Sequence, residues 1–208
     1  MSVPRRDYDP AQLGPGIYPL LTSVVVPRPI AWVSTRSADG VDNLAPHSFF
    51  TISSVVPPVV QFTSVGRKDT LRNVEQTGEF VVSLCNEAMI EQVNATGTDF
   101  PGDVSEFDVV AGVSREPSRL VAPPRVAESP VALECRVIVS RSFGDGSGAS
   151  VVVFGEVVWA VVDEAALQDD RPEIRLLQPV ARLGADEWST VTGISERKRV
   201  SYSHAPAS

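Results

Sequence analysis

The chain has 208 residues, 43% of them hydrophobic, enough for one domain or a tightly joined pair with a sizeable core. Its formal net charge of -8 argues against general nucleic-acid or anionic-membrane binding, yet leaves room for a small local cationic site. No run approaches the ~20 apolar residues of a membrane helix, and MSVPRRDYDPAQLGPG has no apolar core behind its arginines, so a cytoplasmic protein is expected.

Residues 1–16, rich in proline, glycine and charge, read as an N-terminal arm. The single domain is expected over 17–203, with 204–208 as a disordered tail inside the frayed end SHAPAS. PIAWVSTRS (29–37) predicts a strand that turns at Ser37–Gly40. LAPHSFFTIS (44–53) and VVQFTSV (59–65) predict two more, separated by Pro57 and Pro58, which cannot donate in a central ladder. Asp69 to Gln76 predicts a helix capped by Asp69 or Thr70, with Leu71 and Val74 on one face and Gly78 as its stop.

EFVVSLC (79–85) is again β-like, and Asn86 can cap a helix that carries Met89, Ile90 and Val93 and closes near Gly97. The proline-rich stretch 114–130 reads as a long surface connection. In VALECRVIVS (131–140), Val131, Leu133, Cys135, Val137 and Val139 fall on one face. VVVFGEVVWAVV (151–162) is apolar on both faces apart from Glu156, as for a strand covered by a barrel interior and a second subunit. At least six strands, few helices and long connections predict a mainly β fold, an antiparallel barrel with peripheral helices rather than a doubly wound sheet.

Two stretches carry candidate chemistry. In SVGRKDTLRN (64–73), a strand, a glycine turn, two cations and a helix start follow one another. The unpaired amides and positive end of the helix, with Arg67 and Lys68, suit a phosphate; the same pattern also suits an ordinary strand-to-helix turn with solvated basic residues. In DGVDNLAPHSFF (39–50), Asn43, Pro46, His47 and Ser48 gather polar and rigid groups that could address a flat heterocycle, or simply follow a hairpin turn.

Other chemistries find little footing. The glycines of SFGDGSGAS (142–150) lie between two strands, without the helix a dinucleotide fingerprint needs, and read as a hairpin loop. There is no Walker loop and no GxSxG. No metal site is expected, since the second histidine, His204, is in the tail. Cys85 and Cys135 lack metal-ligand spacing and read as reduced core residues, with a disulfide between them as the alternative. An enzyme built this way would rely on a bound cofactor.

The runs PRPIAWVST, DGVDNLAPHSFF and PPVVQFTSVGRKDTLRNVEQTGEFVVSL, followed by EFDVVAGV, PPRVAESPVALECRV, VVVFGEVV and PVARLG, resemble in their order the flavin reductase-like, FMN-binding split β-barrel proteins. The resemblance covers roughly residues 17–203. It implies a homodimer of six-stranded, Greek-key split barrels, each pair binding FMN, less readily FAD, near the dimer interface. Ring contacts would come from Asn43, Ala45, Pro46, His47 and Ser48, with Ser34 and Thr35 on the strand beside them. The phosphate would be held by Ser64, Gly66, Arg67, Lys68, Asp69 and Thr70. Arg182 in PVARLG, and His47 again, would approach the flavin or a second substrate. His47 replaces the usual Tyr or Phe, and Trp188 a frequent Tyr, which bears on substrate preference. The activity implied is hydride transfer from NAD(P)H to bound flavin, with no catalytic side chain required and reduced flavin passed on, for example to a partner oxygenase. A flavoprotein acting on its own small organic substrate, an electron carrier and a non-catalytic FMN-binding module remain the alternatives.

Overall fold

A strand whose every residue is buried must be covered on both faces, and AWVST near the N-terminus meets that condition. In the computed structural model, which describes residues 3–200, this segment is strand β1 (Ala31–Arg36). Six further strands complete its sheet: β2 (Asp42–His47), β3 (Phe50–Ser54), β4 (Val59–Val65), β5 (Glu79–Leu84), β6 (Val131–Phe143) and β7 (Ser150–Val162). The order is β2-β1-β5-β6-β7-β4-β3, with every neighbouring pair antiparallel.

The two end strands, β2 and β3, are separated only by Ser48 and Phe49. A sheet whose opposite edges are joined so closely has to curl until they meet, which makes a barrel. The closing seam is thin: the Thr63 N–H donates to the Phe49 carbonyl (2.9 Å), and His47 Nδ1 faces the Thr63 carbonyl at 3.3 Å. The expected mainly β, antiparallel split barrel is thus present, with seven strands in place of six. LAPHSFFTIS, expected as one strand, is divided at Ser48–Phe49 because its halves serve opposite ends of the sheet.

Inside the barrel, Ala31, Val33, Phe62, Phe80, Val82, Cys135, Val151 and Val153 form the main core. Helix α2 (Asp69–Thr77) packs Leu71 and Val74 against it, and stops at Gly78 in the left-handed conformation (φ 71°). The other face of β1 buries Trp32 in a second core with Leu44, Met89, Val93 and Phe107. Met89 and Val93 come from a 3-10 turn (Glu87–Met89) and helix α3 (Ile90–Ala95); Asn86 stands at the N-cap, but its side chain makes no capping bond. Both cysteines are buried and free, and burial pushes both thiols well above the usual range.

Four expectations shift. Residues 10–24 are largely helical, with a turn at Pro10–Leu13 and helix α1 at Ile17–Val24, where proline and glycine had suggested an arm as far as residue 16. Lys68 rather than Asp69 or Thr70 is the N-cap of α2; Asp69 is the first helical residue and pairs with Arg72. The 114–130 connection is tied down: fully buried Glu134 accepts from the Arg119 and Leu120 amides (2.8 and 2.7 Å), and Val121 and Val126 are buried. That segment covers part of the outer sheet face, where Val158 packs beside Val121 and the Arg119 guanidinium lies 4.0 Å over the Trp159 ring. The second apolar face of β7 is therefore covered in part by this chain itself. The SHAPAS tail and His204 lie outside the described residues. Within the 142–150 stretch, residues 144–149 form the β6–β7 hairpin loop, as expected, and its ends belong to the two strands.

Candidate functional site

The barrel seam opens into a cleft of about 210 Å³. One wall is the end of β2 from Asn43 through Ser48; the other is the turn from β4 into α2, with Ser64, Lys68, Asp69 and Thr70. The loop Thr96–Phe100 forms a third side, Glu106 reaches it from behind β2, and Tyr18 reaches it from α1.

The walls are cross-braced. Buried Asn43 donates from Nδ2 to Thr70 Oγ1 (3.0 Å), tying β2 to the first turn of α2. The Leu44 amide donates to a Glu106 carboxylate oxygen (2.8 Å). Burial raises the Glu106 pKa above the ordinary carboxyl value, and the Leu44 bond opposes that shift. The Trp32 indole donates to Thr96 Oγ1 (2.8 Å), which donates to the Val93 carbonyl (3.0 Å); this pins the base of the third wall. Gly66 adopts φ 78°, a conformation that suits glycine, and Ser64 Oγ donates to the Gly66 carbonyl (3.0 Å), so the turn holds its own shape.

His47 seals the seam. Its ring lies 4.8 Å from that of Phe62. Because a carbonyl only accepts, Nδ1 carries the proton toward Thr63, and buried Nε2 has no partner among the described residues. Burial lowers its pKa to about 4; the Thr63 bond acts against this and Lys68 acts with it. The imidazole is therefore neutral at pH 7.

Of the predicted residues, Asn43, Ala45, Pro46, His47, Ser48, Ser64, Lys68, Asp69 and Thr70 meet at the cleft. Ser34 and Thr35 do not: both are fully buried, with Ser34 donating to the Pro124 carbonyl and Thr35 accepting from Asn73 (3.0 Å). Alternation along β1 brings their side chains to packed faces, which the resemblance could not reveal. Gly66 shapes the turn without lining the cleft, and Arg67 points along α2 to Glu75 (2.5 Å). Arg182 stands in an adjoining cavity of about 270 Å³ that shares Pro46, Ser48 and Gly97 with the cleft. Its guanidinium lies 4.9 Å over the Trp188 ring and donates to the Ala185 carbonyl (2.7 Å).

Sequence reasoning missed Tyr18, the Thr96–Phe100 loop and Glu106. Only TGTDFPGD offered a local signal, a glycine- and aspartate-rich loop after a helix; the other two reach the cleft through tertiary packing. Chemically, the cleft offers a lysine, hydroxyls, free helix-start amides and a neutral imidazole. It suits holding a planar, phosphorylated molecule better than activating a nucleophile.

Residues 23–177 match the model of the flavin reductase like domain. An uncharacterized protein from Aquifex aeolicus is 38% identical over 186 residues, covering 86% of this chain and 92% of that protein. Among solved structures, nitrilotriacetate monooxygenase component B from Bacillus cereus is 29% identical with TM-score 0.89, covering 94% of this chain and all of the other. The 2-nitrobenzoate 2-nitroreductase of Pseudomonas fluorescens is 29% identical with TM-score 0.86, covering 97% of this chain and all of the other.

Proposed function

The chain belongs to the flavin reductase like domain family, and from that premise we propose that it is an FMN-dependent oxidoreductase reduced by a nicotinamide nucleotide. The observation that carries this reading is the cleft, where a polar strand edge faces a strand-to-helix turn with Lys68 at its lip. The donor set fits a phosphorylated flavin. Lys68, the Thr70 hydroxyl and the first amides of α2, which have no acceptor within the helix, would hold the phosphate. The Asp69 charge, which would otherwise repel it, is matched by Arg72. Asn43 to Ser48 would hold the ring system, with Tyr18, Phe49 and Phe100 limiting water. A single phosphate seat suits FMN better than FAD.

Bound flavin supplies the hydride acceptor and electron store; the chain supplies position, hydrogen-bond donors and a partly dry setting. The adjoining Arg182 cavity would receive the nicotinamide. The likeness to a monooxygenase component B supports delivery of reduced flavin to a partner oxygenase. The same cavity favours a second reading: a cation stacked on Trp188 suits a small aromatic acid, and the likeness to 2-nitrobenzoate 2-nitroreductase supports direct action on such a substrate.

A homodimer completes the reading. β3 is an edge strand with Ile52 70% exposed, and Val55 and Val56 beyond it are 79% and 89% exposed. Leu21 and Val25, both exposed, line with Phe50 and Thr51 of β3 a cavity that shares Ser48 and Phe49 with the cleft. A second copy seated there would adjoin the flavin.

FMN titration by fluorescence quenching tests the site. Lys68→Ala, at a half-exposed and therefore solvent-screened position, should weaken binding by about tenfold, and Arg67→Ala by about twofold at most. Unchanged affinity in Lys68→Ala would remove the phosphate assignment.

A further inference from the structure

Each cation of the phosphate-like turn already has a carboxylate partner within the chain. Arg67 pairs with Glu75 (2.5 Å), tying the turn to α2, and Arg72 pairs with Asp69 within the first turn of that helix. The third is different. Lys68 Nζ meets Asp99 Oδ1 at 2.6 Å, across 31 residues of sequence and from one wall of the cleft to another.

Among the described residues, that contact is the one hydrogen bond of the Asp99 side chain. The side chain is 80% exposed. The base of its loop is fixed, because Thr96 is buried and bonded to the Trp32 indole. The loop thus presents a single carboxylate, at a set place, to the cation that any anion entering this cleft would need.

We propose that Asp99 sets the affinity of the cleft for phosphate-bearing ligands: its carboxylate stands where a phosphomonoester would sit on Lys68, gives way when that group arrives and retakes Lys68 as it leaves. This rests on the reading of the cleft as a phosphorylated-flavin site. An exposed ion pair is weak, so a dianionic phosphate with three acceptor oxygens displaces it at small cost. The carboxylate still opposes the phosphate twice, by competing for Lys68 and by repelling a like charge nearby. It therefore keeps FMN exchangeable, which is what a reductase handing reduced flavin to another enzyme requires. A flavin without phosphate never meets this competition.

The test is Asp99→Asn, which keeps the shape and removes the charge at an exposed position where folding is not at stake. FMN and riboflavin are titrated against it and the wild type by flavin fluorescence, at low and high salt, alone and in a Lys68→Gln background. At low salt Asp99→Asn should bind FMN roughly threefold to tenfold more tightly and release it more slowly, with riboflavin unchanged. The gain should shrink at high salt and with Lys68→Gln. FMN bound equally or less tightly by Asp99→Asn would overturn the inference while leaving the flavin site standing. If neither protein binds flavin, the flavin reading fails. Inorganic phosphate then decides, followed by NMR at the Gly66–Thr70 amides: tighter phosphate binding in Asp99→Asn sustains the inference, and equal or no binding overturns it.

Discussion

Protonating His47 would put a charge on Nε2, a buried atom with no partner among the described residues and the Phe62 ring beside its imidazole. That desolvation holds the folded-state pKa to about 4, against an ordinary 6.5. Between those values the unfolded chain takes up a proton at this position and the folded chain does not, so stability falls as pH falls. The full contribution is present above about pH 6.5, is lost through pH 4 and is flat below it. A span of about 2.5 pH units at about 1.4 kcal/mol each amounts to roughly 3 kcal/mol. Urea unfolding of the wild type and His47→Asn from pH 7 to pH 4 isolates the effect, because the other titrating groups are common to both. Asparagine also keeps a donor for the Thr63 carbonyl. The wild type should lose about 3 kcal/mol more than the variant over that range. Parallel curves, agreeing to about 0.5 kcal/mol, would show that His47 is not held neutral by burial in the seam.

Other elements of the fold make separate predictions. A Cβ at Gly155 would stand 2.4 Å from the Phe80 ring inside the barrel, so Gly155→Ala should destabilise by about 1–3 kcal/mol in urea unfolding. Glu134→Ala would leave the Arg119 and Leu120 amides without their acceptor at a fully buried position; a loss of about 2–4 kcal/mol and faster hydrogen exchange at both amides are expected. Ile52→Glu should leave the fold intact and shift sedimentation from dimer to monomer. A wild-type monomer at micromolar concentration would count against the apolar β3 surface as a subunit interface.

Most of the barrel was legible because buried strands announce themselves. The alternation of Leu133, Cys135 and Val137, the doubly apolar β7 and the Leu71/Val74 face of α2 all reappear in the packing. The break at Ser48–Phe49 was not legible, because apolar pattern runs through it and only the pairing of each half shows that they belong to opposite edges. The site divides in the same way. Asn43, His47, Ser64, Lys68 and Thr70 stand in two short runs whose types suggested ligand contact, and the fold brings those runs face to face. Tyr18 comes from a segment with no motif of its own, and Glu106 in EFDVVAGV and Asp99 in TGTDFPGD stand in runs whose residue types did not assign them to the cleft. Their place at the cleft depends on a bond to the Leu44 amide, on the course of α1 and on a loop pinned by Trp32. Ser34 and Thr35 erred the other way: adjacency to a binding strand does not bring a side chain to the ligand when both sheet faces are packed.

The most direct test of the central claim is to load the protein with FMN, remove free flavin and oxygen, and mix it rapidly with NADH and, separately, NADPH while following the visible flavin absorbance. A protein-shifted flavin spectrum that at least one of the two nucleotides bleaches is expected. Retained flavin that neither nucleotide bleaches would contradict the reductase assignment, and failure to retain or bind any flavin would contradict the site itself.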